Sequence, residues 1–369
     1  MSSLRAFGVG CFHFGYNPGV PSKFKKSEYV EAVKVALNSL SSVSELEVKY
    51  YEKFDYEYEL IESPPELSGG AYSPYVELLV IKFDLYIPRR VQAEVISEPE
   101  DYLRSGVEHF KVQMLNKYYG PLVFVESVGS KNDSPSQSVR VLREFLEREF
   151  KRVSNGVTFE CIGPSPFHGD FFVKGDVENG GDVALEVNVE KGYDKFVFAV
   201  SNGSSSPSDR EMSMVYRLID DEMSLFYELQ RARVRMGKKW RDITTAWSAL
   251  KKAVDADFSI FRVLERFKIH TGSKQLISDA YSLRVEFELQ QQQNNSLLKS
   301  TYGKGVSRYF ERYLVGRDEQ SPDYPIESIL SWAQHVNQAS FKSAEIVAVI
   351  SSAIFGGVIG ALLTKLLAG

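Results

Sequence analysis

The sequence predicts an α+β fold. An N-terminal mixed domain with antiparallel-type sheets comes first, then a C-terminal long-helix hairpin or bundle, then a single C-terminal transmembrane helix. Three observations predict it. Strand-like alternation dominates the first two hundred or so residues. A helical pattern without proline then runs for about sixty residues from Ser208. Residues 346–364, IVAVISSAIFGGVIGALLT, carry no charge. These observations give four expected segments: an α+β sensor or ligand-binding domain at 1–203, a helical hairpin at 208–300, a connector with an amphipathic helix at 301–342, and the span at 344–366.

Residues 4–14 are apolar and aromatic with small residues between, which suits a buried strand. Asn17, Pro18, Gly19 and Pro21 mark a loop. Residues 27–40 carry Tyr29, Val30, Val33, Ala36, Leu37 and Leu40 at helical spacing, with Ser27 as the expected N-cap. Phe54, Tyr56, Tyr58 and Leu60 alternate with Asp55, Glu57 and Glu59, the pattern of a half-buried strand. A break at 64–70 precedes a more apolar strand at 75–87. Residues 122–128 form another strand and 139–153 an amphipathic helix. Asn179-Gly180-Gly181-Asp182 reads as a hairpin turn. NGSSSPS at 202–208 reads as a linker, with Ser208 and Glu211 forming a capping box for the next helix.

From there Val215, Leu218, Leu225, Leu229, Met236, Ile243, Leu250 and Val254 recur at three-, four- or seven-residue steps. Gly237 is a candidate break, and His270-Thr271-Gly272-Ser273 a candidate helix–helix turn. The last helix starts with Asp323 as N-cap and Pro325 near N1, and is expected to run unbroken into the 346–364 stretch. Nineteen residues in a helix cover about 28 Å, close to the hydrocarbon thickness of a bilayer. The span carries two small-residue stripes, Ser352/Gly356/Gly360 and Ala353/Gly357/Ala361, which would let helices approach closely in lipid.

Composition bounds the chemistry. A net charge of −5 argues against general nucleic-acid binding, so a basic site must be local. Cys11 and Cys161 have no CxxC neighbours, so neither a zinc site nor a disulfide framework is implied. No metal or cofactor is expected. The N-terminus has no unbroken apolar run, so no signal peptide is expected. Arg231, Arg233, Arg235, Lys238, Lys239 and Arg241 form the densest basic stretch, suited to phosphate or anionic lipid headgroups. Its neighbours Glu222, Glu228 and Asp242 offer the alternative of a solvated, paired face.

His168 and Asp170, in Phe167-His168-Gly169-Asp170, are the weak catalytic candidates, a base with a carboxylate two residues on. Glu45-Leu46-Glu47-Val48-Lys49 contains a nuclease-like E-x-K, a string common by chance. Tyr50, Tyr51, Tyr56, Tyr58, Tyr72, Tyr75, Tyr118 and Tyr119 would fill sheet faces or line a concave ligand surface.

The expected protein is therefore membrane-localised and single-pass, in a tail-anchored layout with its N-terminal bulk in the cytosol. The expected role is a non-enzymatic sensor and effector with an unknown ligand or protein trigger. Membrane lipid and a second copy are its expected partners, with membrane perturbation as in antiviral or stress defence. The alternatives are a membrane-tethered hydrolase or nuclease, and a membrane scaffold or adaptor.

Overall fold

The computed structural model describes the backbone of residues 4–16, 23–50, 57–59, 79–97, 106–117, 120–129, 134–152, 156–161, 167–176, 183–189, 192–201, 206–255, 263–303, 308–318 and 324–367. β1 (Leu4–Gly10) and β2 (Phe12–Tyr16) flank Cys11. Then follow β3 (Lys23–Lys25), α1 (Lys26–Asn38), β4 (Val43–Lys49), β5 (Glu57–Glu59), β6 (Val80–Tyr86) and α2 (Arg89–Ile96). β7 (His109–Lys117) and β8 (Gly120–Val128) pair before α3 (Pro135–Phe150). β9 (Val157–Cys161), β10 (Gly169–Asp176), β11 (Ala184–Asn188) and β12 (Asp194–Ser201) come next. The helices α4 (Asp209–Asp255), α5 (Val263–Tyr302), α6 (Glu311–Asp318) and α7 (Ile326–Leu367) complete the order. By internal contacts the chain forms two units, residues 1–231 with 297–316, and residues 232–296 with 317–369.

The first unit is built on one eight-stranded sheet in the order β11-β12-β10-β1-β8-β7-β6-β4. Every neighbour pair is antiparallel except β10 with β12. Period-two alternation explains the two faces. On one face Ile81, Phe83 and Leu85 of β6, Phe110, Val112 and Met114 of β7, and Val123 and Val125 of β8 pack with Tyr29, Val33 and Leu37 of α1 and Leu142 and Leu146 of α3. On the other, Phe7, Val9, Phe124, Phe171, Phe196 and Phe198 pack with Met212, Val215, Ile219 and Met223 of α4. Cys11 belongs to the second cluster and Cys161 packs against the first, so both are free and no bridge joins them. Gly8 lets α3 sit directly on β1: a Cβ there would lie 2.6 Å from the Pro135 carbonyl oxygen and closer still to Val139 Cγ2.

Glu222 of α4 is fully buried in the first unit. It accepts hydrogen bonds from the Tyr302 hydroxyl (2.8 Å) and from the Tyr309 and Phe310 N–H groups (3.0 Å each). A long-range carboxylate thus satisfies two of the free N–H groups at the start of α6. Burial raises the Glu222 pKa, against the opposing pull of these hydrogen bonds.

In the second unit, Met236, Ile243 and Leu250 of α4 and Ile269, Leu276 and Leu283 of α5 recur at seven-residue steps, forming a seam joined by Ile326, Ile329, Leu330, Ala333 and Val336 of α7. Two expected breaks are absent. Gly237 lies inside α4. Residues 270–273 lie inside α5, where a Cβ on Gly272 would sit 3.3 Å from Leu250 Cδ1. That glycine serves a close helix–helix approach rather than a turn. The adjacent Ser273 hydroxyl donates to the His270 carbonyl oxygen (2.9 Å) and to Asn337 Oδ1 (3.2 Å). α1 starts with Lys25 as its N-cap, Lys25 N–H bonding Glu28, two residues earlier than Ser27 would place it.

The mixed α+β fold, the antiparallel-dominated sheet and the long-helix C-terminal region are as expected; the transmembrane helix is not. Among the described residues no helix is long and apolar enough to cross a membrane. Residues 346–364 are the distal part of α7, whose first turns are amphipathic and packed in the helical seam. Of the side chains described there, Ser352, Ala353, Gly356 and Gly357 are small, and only Val349 and Ile359 are large and apolar. A long charge-free string is therefore not a sufficient sign of a span. The span at 344–366, the single-pass tail-anchored topology and the membrane localisation are accordingly corrected. Residues 17–21, 64–70, 179–182, 202–205 and Asp323 lie outside the described residues, as do the side chains of Gly360 and Ala361 and all the tyrosines singled out above except Tyr50.

Two predictions follow from this packing. Gly8→Ala should destabilise the protein by about 1–3 kcal/mol, read by urea denaturation, because neither Pro135 backbone nor Val139 can yield freely. Between the usual glutamate pKa of about 4.3 and its raised native value, Glu222 binds a proton that the unfolded chain has released. Stability should fall as pH rises through that window, and Glu222→Gln should remove that slope in denaturation midpoints compared pH by pH.

Candidate functional site: a polar groove beside helix α4

The second face of the sheet changes character across its width. Beneath α4 it is aromatic and apolar. On β4, β6 and β7 the same face carries Glu47, Lys82, Asp84, Lys111 and Gln113, because the alternation that buries Phe83 and Val112 turns their neighbours the other way. Where the two halves meet, beside the first turns of α4, lies a groove of about 230 Å³. Arg5, Glu45, Glu47, Lys82, Asp84, Lys111, Gln113, Glu126, Asp209, Met212, Ser213 and Tyr216 line it, all within the first unit.

Arg5 is its organising cation. The guanidinium forks onto Glu126 (Nε–Oε1 2.6 Å, Nη2–Oε2 2.7 Å), meets Asp209 Oδ1 at 2.7 Å, and donates to the Pro207 carbonyl oxygen at 3.2 Å. Burial works against the Arg5 charge, yet the two carboxylates outweigh it and raise the Arg5 pKa. The hydrogen bond from Arg5 in turn lowers the Asp209 pKa. Lys111 Nζ approaches Asp209 Oδ2 at 3.5 Å.

The β4 side is shaped by a bulge. Ser44 pairs with Asp84 and Glu47 with Lys82, so Glu45 and Leu46 together oppose Phe83. Glu45 takes a left-handed backbone (φ 51°), a conformation that a bulge must impose on a non-glycine residue. Leu46 keeps its place against the core while Glu45 and Glu47 both reach the groove. The Asp84 pKa is raised, first by burial and then by Glu45.

Tyr216 forms the inner wall and is only 5% exposed. Its ring stacks on Phe124 (4.3 Å, 11°) and meets Phe7 edge-on (5.0 Å). Burial, with the charge of Glu126, raises its pKa well above the usual tyrosine range, so it is a neutral phenol and a donor. Its hydroxyl has no hydrogen-bond partner among the described residues, although it lies within the fields of Glu126, Arg5 and Asp209.

Of the residues singled out from sequence, Glu45 and Glu47 of the E-x-K string line the groove, and the others lie elsewhere. His168 is exposed and stacks on Tyr193 (5.1 Å), while Asp170 is buried and accepts the Ser136 N–H (2.8 Å) at the start of α3. Of the basic stretch, Arg231 belongs to the first unit and bonds Glu228. The other five belong to the second, where Lys239 bonds Glu286 and Lys238 and Arg241 are exposed. Ser352, Ala353, Gly356 and Gly357 are exposed on α7, with open space where a Cβ would project from either glycine.

Sequence reading passed over Arg5, Asp84, Glu126, Asp209 and Tyr216. A signal existed for two of them: Arg5 and Glu126 each sit inside an otherwise apolar strand, which marks a paired buried charge. Nothing local marks Tyr216. No protein-family model, no curated protein and no solved structure matches the chain.

Arg5→Met should destabilise the protein by about 3 kcal/mol in chemical denaturation, because it strands Glu126 without a counter-charge in a largely buried position. A loss no larger than that of an ordinary surface ion pair would show that the clamp contributes little.

Proposed function

We propose that the first unit is a ligand-binding module and that the protein acts as a non-enzymatic sensor, with the groove beside α4 as its ligand site. The observation that carries this is the Tyr216 hydroxyl. The ring is buried, the residue lines the groove, and the hydroxyl makes no protein hydrogen bond among the described residues, so a ligand acceptor can take that donor. The surrounding charges are already locked by Arg5, Glu126 and Asp209, so the groove is preorganised rather than assembled on binding. The volume lies below the range of roughly 300–1,000 Å³ common for drug-sized ligands, which favours a small polar molecule.

A binding role is favoured over a hydrolase by one contact. The one histidine–carboxylate pair singled out from sequence has its carboxylate engaged at the start of α3.

Tyr216→Phe tests the reading. The ring contacts with Phe124 and Phe7 survive the change, so stability should stay within about 0.5 kcal/mol of wild type or rise. Ligand-observed NMR against a panel of small polar metabolites should give compounds whose affinity drops about tenfold in the variant. A panel with no Tyr216-dependent binder, or a variant destabilised by more than about 1 kcal/mol, would reduce the hydroxyl to a structural group.

A further inference from the structure

Resting on the reading of the groove as a ligand site, we propose that its ligand is a small protonated amine carrying hydroxyl groups, an amino alcohol or amino sugar. The ammonium would sit against Asp84 and Glu45 and an oxygen would accept from Tyr216. Two observations converge on this class.

The first is the balance of charge. Five carboxylates line the groove, Glu45, Glu47, Asp84, Glu126 and Asp209, against three cations, Arg5, Lys82 and Lys111. Arg5 is committed to Glu126 and Asp209, and Lys111 leans on Asp209. Glu47 has Lys49 at 2.6 Å and feels Lys82 as well. Asp84 and Glu45 make no hydrogen bond or close ion pair among the described residues, although the charge of Lys111 reaches Asp84. An anion would enter a net negative groove; a cation meets two carboxylates that repel each other.

The second is Tyr216, nine-tenths buried, lining the same groove with an unused O–H. A bare cation makes no use of that donor, whereas a hydroxyl-bearing ligand accepts from it. The apolar floor from Met212 and the Tyr216 ring suits a carbon skeleton between the two polar ends.

Isothermal titration of the full chain with glucosamine and ethanolamine provides the test, with N-acetylglucosamine, 1,4-diaminobutane and inorganic phosphate as controls. Glucosamine should bind at least about tenfold more tightly than N-acetylglucosamine, which keeps the ring and loses the charge. Asp84→Asn should weaken glucosamine about tenfold while leaving the fold intact by circular dichroism, since it relieves the repulsion from Glu45. Tyr216→Phe should weaken glucosamine and ethanolamine and leave the weaker 1,4-diaminobutane unchanged. Equal binding of glucosamine and its acetylated form, or an unaltered affinity in Asp84→Asn, would overturn the proposal. So would the lack of any amine binding up to about 10 mM. Tyr216-dependent binding of phosphate or of a neutral sugar would remove the cation and keep the groove as a ligand site. The absence of Tyr216-dependent binding across all five compounds, together with a silent metabolite panel, would remove both readings.

Discussion

The bidentate clamp between Arg5 and Glu126, extended to Asp209, is the interaction on which the layout of the first unit rests. It ties positions 121 and 204 residues apart in sequence and joins two central strands to the first turn of α4. Because Asp209 opens α4, the clamp fixes where helix coverage of the sheet begins. On one side of it the sheet face is paved with phenylalanine; on the other it is charged and uncovered. The clamp is also what allows charge there at all. A guanidinium in that position is tolerable only with its hydrogen bonds filled, and it receives them from two carboxylates and a carbonyl.

Much of the fold was legible in the sequence because it rests on local patterns. The apolar strands expected at 75–87 and 122–128, the helical spacing in α1 and α3, and the Ser208/Glu211 capping box are short-range signals, answered by β6, β8, the two helices and the bond from Ser208 N–H to the Glu211 carboxylate. The failures have identifiable causes. His270-Thr271-Gly272-Ser273 has turn composition, but the pull of helix packing against Leu250 outweighs it. β7 and α2 carry mixed, half-charged patterns and went unrecognised. The 346–364 string satisfied a length-and-polarity rule, yet it belongs to a 42-residue helix that begins as one wall of the helical seam.

The groove was less legible than the fold, for a physical reason. Its members come from β1, β4, β6, β7, β8 and α4, and each of β4, β6 and β7 contributes only a pair of polar residues at i, i+2 spacing. Catalytic motifs announce themselves when one short segment carries several groups. A site assembled across a sheet appears in sequence only as charges in unlikely places, as Glu126 does in the middle of β8. Tyr216 is invisible for the same reason. In sequence it is one aromatic on an amphipathic helix, and what distinguishes it is its place in the groove with no hydrogen bond to its hydroxyl among the described residues.

The bulge in β4 has a second effect, on how the sheet meets other chains. β4 is the terminal strand of the sheet among the described residues, and a terminal strand presents open N–H and C=O groups to any extended segment. The left-handed turn at Glu45 breaks that row after Ser44, and Glu45, Glu47 and Lys49 put charge along what is left. A strand seeking to add here finds only short runs of regular backbone, each flanked by a charged side chain. The irregularity that aims two carboxylates into the groove thus also guards the sheet against templated growth. A substitution that straightened β4 would trade the site for an aggregation-prone edge.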